Sequence, residues 1–434
     1  MDRDILDLIR KHWPIKSLYG LQEGFVPGKT MIPYSGPVWN EEEVYEVIHA
    51  LLEGKWLASG EKVRDFERAY APCVGQQHAV MTNSGSSANL LMVSALRSKR
   101  LQAMSGIAIV TPVAGFPTTV APIIQNGFHP LFVDIELQSL NLDLDQVEAK
   151  LTPHTKAIMF AHVLGNPPDM DRLMDLCRRR DLLFLEDTCD ALGSTWSGKP
   201  LGGFGAMSTC SFYAAHHITT GEGGIVATSD PEIEKVLRSL CWWGRDCYCV
   251  GKANLLEHGT CGTRFQNWLT ALPELVIDHK YVFSEVGYNL KPMDLQGAIG
   301  LAQIRKLDWI HKQRKAHFDV YRKFFSHYPD LFRIATWHPK AEVSWFGFPV
   351  TVVTDRFTKD ELTRFLESVK IQTRNYFAGN LLFHPAYAGL GNPYDFPNAV
   401  TVTKSTFFLG VSPNLTTEQM DYVQERLTEF IAAH

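Results

Sequence analysis

The chain holds 434 residues, 45% hydrophobic and 21% charged, with a formal net charge of -5. Such a chain can bury a large core and divide into more than one domain, while its slight acidity argues against nucleic acid as a main partner. No run of about 18 apolar residues would span a membrane, and the start Met1–Arg10 lacks the basic end and apolar core of a signal peptide, so a cytoplasmic enzyme-sized protein is expected.

In chain order, the first predicted element is an amphipathic helix with Ile5, Leu8 and Ile9 on one side, part of an N-terminal arm over residues 1–35. Asn40 before three glutamates reads as an N-cap with an acidic first turn. Val44, Val47, Ile48, Leu51 and Leu52 then mark one helical face, and Gly54 can stop the helix. Short apolar runs alternate with helical ones after this. Strands are predicted near 107–112, 130–135, 157–163, 182–187, 207–213 and 224–228, and helices over 86–98, 116–126, 143–151 and 169–180. That alternation implies an α/β domain over 36–290 with a mostly parallel sheet covered on both faces. Ligands on such sheets gather at the carboxyl ends of the strands. A smaller α+β domain is expected over 291–434, with a strand in 343–353, a helix over 358–369, a strand near 370–376 and a final helix near 416–432.

Four stretches carry candidate chemistry. Thr82-Asn-Ser-Gly85-Ser86-Ser-Ala88 follows an apolar run and opens a helix, where amides and hydroxyls make a phosphate site. A plain Gly-Ser turn that caps a helix has the same look. Phe116 suits stacking on a flat ring, or an ordinary place in the core. Asp187 ends an apolar strand; it can pair with a protonated pyridine nitrogen or simply anchor a loop. The last stretch is Ser211-Phe-Tyr-Ala-Ala-His216-His217-Ile-Thr-Thr-Gly-Glu-Gly-Gly224.

Taken in this order, the four resemble the sugar aminotransferase/dehydratase (DegT/DnrJ/EryC1/StrS) branch of the aspartate-aminotransferase superfamily, pyridoxal-phosphate enzymes of fold type I. The likeness runs over most of residues 31–310 and more loosely through Thr373–Pro385. It implies a seven-stranded sheet, phosphate contacts from Gly85, Ser86 and Ser211, Phe116 stacked on the cofactor ring, and Asp187 on the ring nitrogen. It also implies that Asn289, in Gly287-Tyr-Asn-Leu-Lys291, reaches the phosphate of the neighbouring subunit's cofactor in a homodimer.

Lysine enzymes of this kind hold the cofactor as a Schiff base, and His216 stands at the lysine position. Imidazole forms no such bond, yet it titrates near neutrality and can carry a proton. His216, with Glu186–Ser194, resembles the 3-dehydratases that use pyridoxamine phosphate on nucleotide-linked 4-keto-6-deoxyhexoses. Neighbouring side chains in an irregular turn seldom point the same way, so His216 is taken as the catalytic residue and His217 as a structural one.

Eight cysteines without an export signal favour reduced thiols or metal ligands over disulfides. Cys247 and Cys249 stand one residue apart in the stretch 244–264, with Cys261 eleven intervening residues later. Spacing alone leaves zinc and an iron–sulfur centre both open. The resemblance implies a [2Fe–2S] cluster on Cys189, Cys247, Cys249 and Cys261, with 57 residues between the first two. The last gap is longer than the resemblance would have it, as if a short loop were inserted. The activity implied is removal of the C3 hydroxyl from a 4-keto-6-deoxyhexose in deoxysugar biosynthesis, cytidine-, thymidine- or guanosine-linked, with electrons from a separate NAD(P)H-dependent flavin/iron–sulfur reductase. Arg374 is a further candidate, for the diphosphate. Three rival readings remain: a cluster-free dehydratase that renews its amine with glutamate, an ordinary sugar aminotransferase, and a noncatalytic scaffold with structural zinc.

Overall fold

The computed structural model describes residues 3–12, 24–54, 56–247 and 262–434. Helix α1, Arg3–His12, buries Leu6 and Ile9 against Tyr45 of helix α2, Glu41–Glu53, with Ile5, Val44 and Ile48 around them. The Asn40 side chain accepts from the Glu42 amide at 2.9 Å, the Glu43 carboxylate accepts from the Asn40 amide at 2.8 Å, and Gly54 closes the helix. The expected apolar faces are partly wrong. Leu8, Leu51 and Leu52 are exposed, because the cluster shared by the two helices reaches no further along α2 than Ile48.

The strands of the main body are β1 His78–Thr82, β2 Ala108–Pro112, β3 His129–Val133, β4 Thr155–Ala161, β5 Leu183–Asp187, a short hairpin β6 Thr195–Trp196 and β7 Lys199–Pro200, then β8 Met207–Ser211 and β9 Gly224–Thr228. Seven of them form one sheet in the order β1-β9-β8-β5-β4-β2-β3, parallel except that β9 runs against both its neighbours. One face carries helices α4 Gly85–Ala95, α5 Pro117–Gln125 and α8 Pro231–Cys241, whose Leu91, Ile123 and Leu237 pack with Val80, Ile109 and Leu185. The other face is covered by α3 Glu61–Cys73 and α7 Met170–Arg180. A short helix α6, Leu144–Lys150, precedes β4. The pleat sends alternate residues of each strand to these two faces.

On β5 that alternation separates two acids. Asp187 turns toward α4 and α5, whereas Glu186 is buried on the opposite face, beside His162 Nε2 at 3.0 Å. Its carboxylate also accepts the amides of Gly202, Phe204 and Gly205 at 2.6, 3.1 and 3.0 Å.

A small pair, β10 Phe265–Gln266 and β11 Ile277–Asp278, precedes helix α9, Asp294–Ile304. α9 packs on α3: a Cβ on Gly297 would lie 2.4 Å from the Val63 amide nitrogen, so only glycine permits the approach. Helix α10, Leu307–Phe325, leads to a second sheet. Its strands β12 Phe332–Ile334, β14 Gly347–Val352, β15 Thr373–Asn375 and β16 Thr406–Gly410 are antiparallel in the order β12-β14-β16-β15. The two-residue strand β13, Ala341–Glu342, instead joins the β6–β7 hairpin. Helices α11 Lys359–Ser368, α12 Pro397–Ser405 and α13 Thr417–Ala433 complete this part. The fold is α/β with a mostly parallel central sheet. No helix among the described residues is long and apolar enough to cross a membrane.

Candidate active site

The carboxyl ends of β5 and β8 and the start of α4 open on one cavity of about 620 Å³. α4 starts at Gly85 because the Ser84 hydroxyl accepts from the Ser87 amide at 3.1 Å. A Cβ on Gly85 would lie 2.4 Å from the Ser211 Cβ, so glycine alone lets β8 end against the first turn of the helix. Ser86 donates to the Thr118 hydroxyl at 3.1 Å, and the Ser211 hydroxyl accepts from the Tyr213 amide at 3.3 Å. Helix amides beside two hydroxyls suit a phosphate.

Asp187 is buried at the cavity wall. One carboxylate oxygen accepts from Asn89 Nδ2 and the Thr119 hydroxyl, each at 2.8 Å, and the other accepts from the Cys189 amide at 3.1 Å. Asn89 is itself fixed by the Thr209 hydroxyl at 2.6 Å. Phe116 is the N-cap of α5, and its half-exposed ring meets Phe377 edge-on at 6.1 Å. Asp187, Phe116 and the Gly85–Ser86 turn with Ser211 thus face one space, and the residues present fit a pyridoxal or pyridoxamine phosphate.

His216 lines the same cavity, and no lysine among the described residues does. Its Nδ1 lies 3.7 Å from the Asp190 carboxylate. Burial, and then the charge of Arg314, push the imidazole down to about 4, so it is neutral at physiological pH. Burial and the neighbouring Asp187 push Asp190 up to about 7. Arg314 is buried beneath them and donates to the carbonyls of Phe346 at 3.0 Å and His216 at 3.5 Å. His217 turns away from the cavity, its Nε2 meeting the Ser344 carbonyl oxygen at 2.9 Å.

The other sequence candidates divide. Cys189 and Arg374 line the cavity, Arg374 with its guanidinium 3.9 Å over the Tyr34 ring. Asn289 does not; its exposed carboxamide accepts from Lys291, outside the cavity. Cys247 is buried and does not line the cavity; the neighbouring Asp246 is held by Arg100 and His279. Cys249 and Cys261 lie outside the described residues. Sequence reasoning missed Asn89, Thr119, Asp190 and Arg314. Asn89 alone left a trace, as a polar residue one helical turn after Gly85. Arg314 carries no local mark, being one more basic residue in an amphipathic helix.

A family model described as the DegT/DnrJ/EryC1/StrS aminotransferase family matches residues 39–428. The chain is 41% identical, over 94% of its length, to lipopolysaccharide biosynthesis protein RfbH of Salmonella typhimurium, covering 93% of that protein. It is 42% identical, over 94% of its length and 88% of the relative's, to dTDP-4-dehydro-2,6-dideoxy-D-glucose 3-dehydratase of Saccharopolyspora spinosa. Among solved structures, E. coli GDP-4-keto-6-deoxy-D-mannose-3-dehydratase with bound hydrated PLP matches with a TM-score of 0.79 and 29% identity, over 92% of this chain and 100% of that one.

Proposed function

The chain belongs to the DegT/DnrJ/EryC1/StrS aminotransferase family, and within it we propose a cytoplasmic 3-dehydratase that acts with pyridoxamine phosphate on a nucleotide-linked 4-keto-6-deoxyhexose. The observation that carries this reading is that the imidazole of His216, and no lysine amine among the described residues, lines the cavity together with Asp187. When bound, the cofactor supplies an amine for the C4 ketone and a conjugated ring that spreads negative charge.

The chain's own residues do the rest. Asp187, fixed by three donors, would pair with the ring nitrogen; Gly85, Ser86 and Ser211 would hold the phosphate. His216 would take a proton from the carbon beside the cofactor amine as the C3 hydroxyl leaves, with Asp190 close enough to steady the resulting cation. Arg374, at the cavity mouth side of Tyr34, would hold the diphosphate. The cytidine-linked sugar is the first choice of substrate. A [2Fe–2S] cluster on the cysteines would supply single electrons from a separate reductase, a task closed to zinc. The working unit would be a homodimer.

Turnover of cytidine-, thymidine- and guanosine-linked 4-keto-6-deoxysugars with pyridoxamine phosphate and a reductase tests this. Loss of the C3 hydroxyl from at least one of them is expected. Amino transfer without dehydration, or no reaction with any, would overturn it.

A further inference from the structure

The cavity has two kinds of wall. Around Asp187 it is polar and hydrogen-bonded, whereas Phe346, Phe377 and Phe408 line it elsewhere. The ring centroids of Phe346 lie 6.4 Å from Phe377 and 6.0 Å from Phe408, and those of Phe377 and Phe408 are 5.8 Å apart. The three rings form one apolar triangle, and it stands between His216 and Arg374. At one corner Phe346 meets the His216 ring at 5.1 Å. At another Phe408 meets Tyr34 edge-on at 6.2 Å, and Tyr34 carries the Arg374 guanidinium. Arg374 and Phe408 are paired directly across β15 and β16, which puts both side chains on one face of the sheet.

The third corner has an uncommon backbone. Phe377 has φ +43°, in the left-handed region where a bulky residue is an outlier. The chain around it enforces that state. The Tyr376 hydroxyl donates to the Leu140 carbonyl at 2.6 Å. The Ala378 amide donates to the Gly115 carbonyl and the Gly115 amide to the Gly379 carbonyl, each at 3.2 Å. Outliers held in this way gather at active sites and ligand clamps. The triangle also offers little to a hydroxyl. The Phe346 amide is spent on the Leu164 carbonyl at 3.0 Å and its carbonyl on Arg314, and the Phe377 amide on the Asn375 carbonyl at 2.6 Å.

A pyranose held at C4 beside His216 and by its C1 diphosphate at Arg374 must cross this triangle along one of its two edges. One edge carries the C2 and C3 hydroxyls; the other carries the ring oxygen and, on C5, the C6 group. Phenyl rings suit only the second edge, and only where C6 is a methyl group, since a hydroxyl there would lose water without gaining a partner. We infer that Phe346, Phe377 and Phe408 seat the C6 methyl group, and that Phe377 selects 6-deoxy sugars over sugars with a C6 hydroxyl. The inference rests on the nucleotide-sugar reading proposed above.

Protein loaded with pyridoxamine phosphate would be titrated by calorimetry with cytidine, thymidine and guanosine diphosphates that carry either glucose or 6-deoxyglucose. Both sugars keep a C4 hydroxyl in place of the ketone, so binding alone is read. With each nucleotide that binds, the 6-deoxy sugar is expected to bind about 10–100-fold more tightly, the range open to an apolar pocket. Phe377→Asn suits the left-handed backbone and should lower that ratio by about tenfold, whereas Phe377→Leu, still apolar, should keep most of it. A general loosening of the fold would weaken both sugars alike and leave the ratio unmoved. Equal affinities in the wild type, a ratio unchanged in Phe377→Asn, or a leucine variant as indifferent as the asparagine one would overturn the inference and leave the nucleotide-sugar reading standing. The wild-type comparison requires neither variant to fold. A wild type that binds none of these nucleotide sugars would overturn both.

Discussion

The cavity wall around Asp187 and the antiparallel strap made by 242–246 and 282–289 show two ways of building with the same chain. At the wall, Asp187, Asn89, Thr119 and Thr209 form a closed web of hydrogen bonds between β5, β8, α4 and α5, complete without outside help. The strap's two segments pair by backbone with each other and meet α4 and the turn after it through Tyr288 on Ser94 and Glu285 on Ser98, yet Tyr281, Phe283 and Val286 beside these contacts face solvent. One region is organised from within. The other leaves three large apolar side chains in solvent.

The sharpest probe of the first region is His216→Lys. Dehydration is expected to fall by about 10²–10⁴-fold, the usual worth of a general acid–base residue, while the new amine captures pyridoxal phosphate covalently. Borohydride fixation followed by mass measurement reads the capture, and unchanged dehydration would remove His216 from the mechanism. Asp187→Asn comes next. It keeps the shape but confronts Asn89 Nδ2, the Thr119 hydroxyl and the Cys189 amide with a group that is itself part donor. Hydrogen bonds to charged groups contribute about 1.5–3 kcal/mol, so cofactor retention on dialysis and turnover should each drop by roughly 10–100-fold. An Asn variant that holds cofactor as well as wild type would make Asp187 a loop anchor.

Gly85→Ala would push a methyl group to 2.4 Å from the Ser211 Cβ. Overpacking of this kind costs about 1–3 kcal/mol, seen as a lower melting temperature and a smaller rise on adding pyridoxal phosphate. Val286→Asp probes the strap. Surface changes shift a chain's own stability by no more than about 0.5 kcal/mol, so urea unfolding of the dissociated chain should hardly move. Sedimentation should nevertheless show weaker self-association, and an unaltered dimer would leave the strap facing solvent.

Much of this was legible in the sequence because it rests on local rules. Asn40 with Glu43, and Gly54, are helix boundaries written in neighbouring residues, and the alternation of apolar runs placed six of the main sheet's seven strands within a few positions, β1 not being among those predicted. Asp187 and His216 could be singled out since each stands at a strand end or turn with unusual polarity. The web behind Asp187 was hidden because Asn89, Thr119 and Thr209 are far apart in sequence and ordinary in place. Arg314 was hidden by its helix, and Asp190 by its neighbours Asp187 and Cys189. The exposed Leu51 and Leu52 misled for a related reason: periodicity marks a face, but only the partner's length decides how much of it is covered.

The tandem acids of β5 act as a reading-frame check on folding itself. A one-residue slip of that strand would turn Glu186 toward the face of Asn89 and Thr119 and would withdraw the acceptor from the amides of Gly202, Phe204 and Gly205. Buried donors left without partners on both sides of the sheet penalise every such misalignment. The chain's own hydrogen bonds therefore favour the register that turns Asp187 toward Asn89 and Thr119, whatever occupies the cavity.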